Sequence, residues 1–196
     1  METFVLIGGG LAGAKAAETL RTQGFEGGIV LVAEEAEAPY ERPPLSKGYL
    51  LGNDEREKAR VLDPGWYGEH GVDLRTGVRA VSLDPGGHRV GLDSGETLEY
   101  AKLLLATGSS PRRLPIPGAD LDGVRYLRTL PDSDRLLADL REGGRRLVVV
   151  GAGWIGLEVT AAARGYGNDV TVVEPQPTPR AASTSRRPAW HARCVR

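Results

Sequence analysis

Residues 147–156 read LVVVGAGWIG, and residues 4–13 read FVLIGGGLAG. Both are short apolar, β-branched runs that enter a Gly-x-Gly-x-x-Gly turn. Such a run suits a strand buried on both faces of a parallel sheet. Working outward from the first copy, residues 3–7 predict a strand, and 8–13 turn the chain. Residues 11–22 predict a helix, with Leu11, Ala12, Ala16 and Leu20 on one stripe and Lys15, Glu18 and Arg21 off it. Gly24 is a stop signal, and residues 29–33 (IVLVA) predict a second buried strand. This is a βαβ unit, whose crossover is right-handed. The second copy repeats the order: strand 146–150, turn 151–156, helix to about Arg164, strand 169–173.

Each glycine of such a turn has a task. The first lets the strand bend sharply, the second lets backbone approach a pyrophosphate, and the third lets helix and strand pack closely. The helix N-terminus adds unsatisfied N–H groups and a partial positive charge. The first candidate set is Gly8, Gly10 and Gly13, with Leu11 and Ala12 opening the helix. Glu34, 21 positions after Gly13 and at a strand end, is the acid expected to take ribose hydroxyls, with Glu35 the second candidate. The second set is Gly151, Gly153 and Gly156, with Trp154 and Ile155, and its acid is Glu174, 18 positions on. A carboxylate there accepts from a ribose 2′-OH and repels a 2′-phosphate, which favours NAD(H) over NADP(H). Either turn taken alone could be a ligand-free glycine bend. Two copies in one context, each with its acid, argue against that. A P-loop fails because Ala14 follows Gly13 where the motif needs Lys. His70, His88 and His191 have no metal-ligand spacing. The pattern predicts an α/β fold with two Rossmann-like parallel sheets and a small antiparallel β-meander, the second domain being incomplete.

Between the copies, residues 38–50 (APYERPPLSKGYL) are too Pro-rich for a strand interior. Residues 53–60 (NDEREKAR) predict a solvated helix. Residues 78–100 predict short antiparallel strands joined by tight turns. Residues 102–107 (KLLLAT) return to the buried-strand pattern and end at Gly108. The stiff stretch 111–118 (PRRLPIPG) is a natural boundary, and residues 131–142 predict a helix. The expected domains are 1–112, 113–179 and a basic tail, 180–196.

Forty per cent apolar and 26% charged residues are ordinary globular composition. The formal net charge of −1 offers no general attraction to nucleic acid or acidic membrane. A single cysteine, Cys194, excludes both a disulfide framework and a CxxC redox pair. No apolar run approaches a membrane span, and the N-terminus lacks the basic region of a signal peptide. A cytoplasmic location is the expectation.

The stretches VLIGGGLAGAKAAETL, PYERPPLSKGYL, LLLATGSSPRRLPIPG and LVVVGAGWIGLEV resemble the two-dinucleotide flavoprotein reductases, in the ferredoxin, rubredoxin and putidaredoxin-type reductase branch. The likeness in these motifs runs to residue 179. It implies FAD in the first glycine site and NADH in the second, with hydride passing from nicotinamide to flavin. It implies that Arg42 and Lys47 contact FAD, with Lys47 near the flavin ring, where a cation favours an anionic reduced flavin. It further implies that Ala106, Thr107 and Gly108 pass beneath the FAD. Val78 would meet the adenine through its backbone, and Glu158 would approach the nicotinamide carboxamide. Lys47 and Glu158 are thus the candidate catalytic pair. With no CxxC, electrons leave the flavin directly, to a ferredoxin-type iron–sulfur partner. The alternatives are an NADH oxidase or nitrite-reductase-like flavoprotein, or a non-catalytic nucleotide-binding remnant.

The family adds a third strand to its second site, a closing flavin-contact segment and an interface domain, none of which this sequence carries. The expectation is therefore a truncated reductase with open apolar sheet edges, weak flavin retention and poor turnover. Residues 180–196 (RAASTSRRPAWHARCVR) break in composition. They are read as a frameshift product or early stop, or alternatively as a disordered basic tail that binds an acidic partner.

Overall fold

The computed structural model describes residues 2–174 and 194–195. The first apolar run forms strand β1 (Thr3–Ile7), followed by helix α1 (Leu11–Thr22) and strand β2 (Gly28–Ala33). Next come helix α2 (Pro64–Glu69), strand β3 (Val72–Thr76), the meander β4 (Ala80–Asp84), β5 (Arg89–Leu92) and β6 (Thr97–Glu99), and strand β7 (Lys102–Leu105). The chain divides into two compact units. Among the described residues, the first holds 2–41 and 59–110, and the second holds 42–58, 111–174 and 194–195. The Pro-rich stretch from Arg42 to Lys58 therefore belongs to the second unit, although it precedes the boundary drawn from the sequence at 112.

In the first unit a parallel sheet has the order β3-β2-β1-β7, and the meander has the order β4-β5-β6. Successive strand residues face opposite sides. Val5, Ile7, Val30 and Val32 accordingly pack against Val90, Leu92 and Leu98 of the meander. Leu6, Ile29 and Leu31 pack on the other face with Ala17 of α1 and Tyr67 of α2. Each fully buried aliphatic side chain there contributes about 1.5–3 kcal/mol relative to exposure. Burial on both sides explains why β1 and β2 read as unbroken apolar runs. Arg21, at the end of α1, ties this unit together through backbone carbonyls. Its Nη1 donates to Phe25 O and Gly27 O at 2.6 and 2.9 Å, its Nε to His70 O at 2.7 Å, and its Nη2 to Gly71 O at 2.9 Å.

The second unit contains α3 (Leu130–Leu140), β8 (Arg146–Val150), α4 (Trp154–Gly165), β9 (Asp169–Val173) and a two-residue strand, β10 (Cys194–Val195). β8 and β9 are parallel in a five-pair register, and β10 lies antiparallel on β9. The core joins Leu136, Leu137 and Leu140 of α3 to Val159, Ala162 and Ala163 of α4, with Leu50 wholly buried among them. Leu50 is what anchors the 42–58 stretch in this unit. The expectation for residues 180–196 falls outside the described residues, apart from the backbone of 194–195.

The charged stretch 53–60, expected to be helical, forms only a 3-10 turn, Arg56–Ala59, because it has no apolar stripe to hold a longer helix against a core. The runs at 102–107 and 146–150, written like doubly buried strands, lie at sheet edges, in line with the open apolar edges expected of this sequence. Leu105 is 58% exposed and Val148 67% exposed.

Helix α3 begins with a capping box. The Thr129 hydroxyl accepts from the Asp132 N–H at 3.3 Å, and Asp132 Oδ2 accepts from the N–H groups of Thr129 and Arg128 at 2.9 and 3.1 Å. Burial raises the Asp132 carboxyl pKa, but hydrogen bonds from Thr129, Arg135 and the Arg128 backbone outweigh it and hold the group below its ordinary value. A depressed carboxyl stabilises the fold above its unfolded pKa and loses that contribution as pH falls through the lower folded value. Asp132→Ala is therefore expected to cost about 1 kcal/mol at neutral pH. The difference from wild type should vanish in acid, read from urea midpoints across pH.

Candidate functional site

The sheet of the first unit is all parallel, so the carboxyl ends of its strands share one edge. That edge gathers the turn Gly8–Gly13 after β1, Glu34 and Glu35 after β2, Val78 after β3 and Ala106–Gly108 after β7. The chain steps from β1 to β2 to β3 on one side and returns to β7 on the other. The turn after β1 therefore sits at a topological switch point, where open α/β sheets take ligands.

The three glycines of each turn behave differently toward an added Cβ. At Gly8 it would lie 2.1 Å from Ala106 O, and at Gly13 2.0 Å from Gly8 O. At Gly10 it would meet nothing within 4 Å. The second turn matches at two positions. A Cβ on Gly156 would lie 2.0 Å from Gly151 O, whereas one on Gly153 would meet nothing. The third glycine is thus required by the protein's own packing in both turns. The middle glycine is required by nothing in the described residues. Gly10 and Gly153 are also the N-caps of α1 and α4, in extended conformation, and as glycines they offer no side-chain cap of their own. Both first glycines donate to the neighbouring strand at 2.8 Å, Gly8 to Val32 O and Gly151 to Val173 O. The two turns are one device built twice.

The acids differ in their partners. Glu34 is exposed and lies 3.5 Å from Arg79. The Glu35 carboxylate accepts from the Tyr40 hydroxyl. Glu174 Oε2 accepts from Ala152 N–H inside the second turn at 2.6 Å. The Val78 N–H donates to Ala33 O at 3.0 Å and is therefore committed to the sheet edge. Ala106 N–H donates to Ile7 O at 2.8 Å, and Gly108 has φ +70°. Leu11, Trp154 and Ile155 are 46%, 69% and 55% exposed at the helix starts, and Ala12 is exposed beside Leu11. Thr107 is exposed beside Gly108.

In the second unit the two candidate catalytic residues meet. Lys47 Nζ lies 3.8 Å from Glu158 Oε1, and Glu158 Oε2 accepts from Ser46 Oγ at 2.6 Å. Lys47 is 58% exposed, so solvent screens its charge in this arrangement. Arg42 Nη1 donates to Arg128 O at 2.9 Å. Ser46 was not singled out by the sequence, although it stands inside PPLSK. Its partner lies 112 residues away, and nothing local announces it.

A pyridine nucleotide-disulphide oxidoreductase family model matches residues 2–192. The chain belongs to that family. The match extends beyond residue 179, where the motif likeness ends. Rhodocoxin reductase of Rhodococcus erythropolis is 45% identical over 183 residues, which cover 93% of this chain and 43% of that protein. Rubredoxin-NAD(+) reductase of Pseudomonas putida is 43% identical, over 93% of this chain and 49% of that protein. Among solved structures, a ferredoxin reductase from Rhodopseudomonas palustris superposes with TM-score 0.88 at 38% identity, over 94% of this chain and 45% of that one. The covalent putidaredoxin reductase–putidaredoxin complex gives 0.87 at 36% identity, over 94% and 45%. The chain spans less than half the length of these family members. Among the described residues no helix is long and apolar enough to cross a membrane.

Proposed function

We propose that this chain is the dinucleotide-binding part of an FAD-dependent, NADH-oxidising reductase that passes electrons to a small ferredoxin-type iron–sulfur protein in the cytoplasm. The observation that carries the reading is the open space at Gly10 and Gly153, each flanked by a third glycine that the fold itself demands. Room for a Cβ that the protein does not fill, at a helix N-terminus whose N-cap is glycine, fits the diphosphate of a dinucleotide. FAD is assigned to the first turn, with Glu34, Glu35, Val78 and Ala106–Gly108 on the same sheet edge. NADH is assigned to the second, with Glu174 as the ribose acid.

Bound in these turns, the two cofactors would supply the redox chemistry, hydride from the nicotinamide and single electrons onward. The chain's own residues bind and orient. The turns present backbone N–H groups to phosphate, and Glu34 and Glu174 accept from ribose hydroxyls. Arg42 and Lys47 bring cations to the flavin, and Glu158 accepts from the carboxamide. Residues 1–193 contain no cysteine, so this stretch offers no internal dithiol as an acceptor. That favours an external one-electron partner, as does the rubredoxin reductase named among the relatives.

The test is a difference absorption spectrum of the protein titrated with FAD at equilibrium, followed by anaerobic NADH. A saturable shift of the flavin band, and bleaching by NADH faster than that of free FAD, are the expected results. A flavin spectrum that the protein does not perturb, or a bound flavin that NADH does not bleach, contradicts the reading.

A further inference from the structure

The terminal torsion of a glutamate is broad and roughly two-fold. A carboxylate on α4 that must meet a ligand in one orientation therefore needs a second anchor. The Pro-rich turn provides it. Ser46 closes the 3-10 turn Pro43–Ser46 and is 6% exposed. Its Oγ donates to Glu158 Oε2 at 2.6 Å, while Lys47 Nζ stands 3.8 Å from Oε1. One carboxylate oxygen is thus held by a buried neutral donor, and the other faces an exposed ammonium. The turn is itself fixed. Leu45 O accepts at 2.8 Å from the Oγ of Ser133, a fully buried residue of α3, and Arg42 holds Arg128 O at 2.9 Å. The Ser46 hydroxyl has a rigid origin from which to aim Glu158.

We propose that Ser46 is a positioning residue for the pyridine-nucleotide site. It binds Glu158 Oε2, so that Oε1 is presented to Lys47 and to the nicotinamide end of the ligand. The inference rests on the reading of the second glycine turn as an NADH site. A serine that only bolts the turn to α4 would affect folding and every ligand alike. A serine that aims Glu158 affects that carboxylate and the nicotinamide alone.

One comparison on the same protein separates these roles: binding of NADH against that of ADP-ribose, which lacks the nicotinamide. Ser46→Ala weakens NADH roughly three- to tenfold and leaves ADP-ribose unchanged, and Ser46→Thr, which keeps the oxygen, restores NADH. Equal loss of both ligands, or loss of neither, overturns the positioning role. A wild-type protein that binds neither ligand overturns the reading of the turn itself. Should Ser46→Ala fail to fold, Ser46→Cys supplies a weaker donor of similar size, and the same outcomes apply.

Discussion

Gly8→Ala is expected to lower the stability of the protein by about 3–5 kcal/mol, the sum of a backbone penalty and a steric one. Gly8 has φ +130°, a conformation that L side chains rarely adopt, and its added Cβ would stand 2.1 Å from Ala106 O and 2.5 Å from Ala106 C. Neither obstacle is the tip of a flexible side chain. Ala106 is held by its N–H bond to Ile7 O, and Gly8 by its own bond to Val32 O, both at 2.8 Å. Relief requires β7 to separate from β1, which opens the sheet beside Val5 and Ile7, both core residues. Urea denaturation of wild type and variant checks this. A loss below about 1 kcal/mol would mean that β7 is not seated against the first turn as described.

Asn168→Ala is expected to cost about 3–4 kcal/mol, because the side chain is fully buried and fully used. Its Nδ2 donates to Leu140 O at 2.9 Å and Ala163 O at 3.0 Å, and its Oδ1 accepts from Arg145 N–H at 3.0 Å. One amide thereby joins the end of α3, the end of α4 and the approach to β8. Its own N–H donates to Ala163 O at 3.1 Å, which shows how tightly the turn is wound there. Alanine removes the acceptor of the Arg145 N–H and one of the two donors at each of the Leu140 and Ala163 carbonyls, which keep only the N–H bonds of Gly143 and of residue 168. Asn168→Asp should be at least as harmful, since a carboxylate directs oxygen toward the Leu140 and Ala163 carbonyls. The check is again a denaturation midpoint. A change within about 0.5 kcal/mol, as for an ordinary surface substitution, would refute the assigned role.

The sequence was most legible where apolar pattern and glycine spacing act locally. Residues 3–7 and 11–22 match β1 and α1 to the residue, and residues 146–150 and 169–173 match β8 and β9. The meander at 78–100 also stands where its turns place it. Helix α2 and strand β3 were silent for physical reasons. Pro64–Glu69 is six residues with two glycines and no helical period, and Val72–Thr76 buries only Val72 fully. Local pattern could not place the stretch from Arg42 to Lys58 in the second unit, because what places it is Leu50 in a core formed by residues 130–170. The same limit hid the Ser46–Glu158 bond. Glu158 and Lys47 came from motif likeness, and their proximity came only from the fold. The glycines were legible as a set, but their division into packing and open positions required coordinates.

That division allows a direct trial of the central claim, that two glycine turns each hold a dinucleotide. Gly10 and Gly153 have extended backbone that any residue adopts, and an added methyl meets no protein atom within 4 Å. Alanine at either position should leave the melting temperature unchanged or raise it slightly, so any loss of binding reports on the ligand. The measurement is titration of wild type, Gly10→Ala and Gly153→Ala with FAD and with NADH. The account predicts that Gly10→Ala weakens FAD by roughly ten- to a hundredfold and spares NADH, and that Gly153→Ala does the reverse. Wild-type affinity for both ligands in both variants would contradict it.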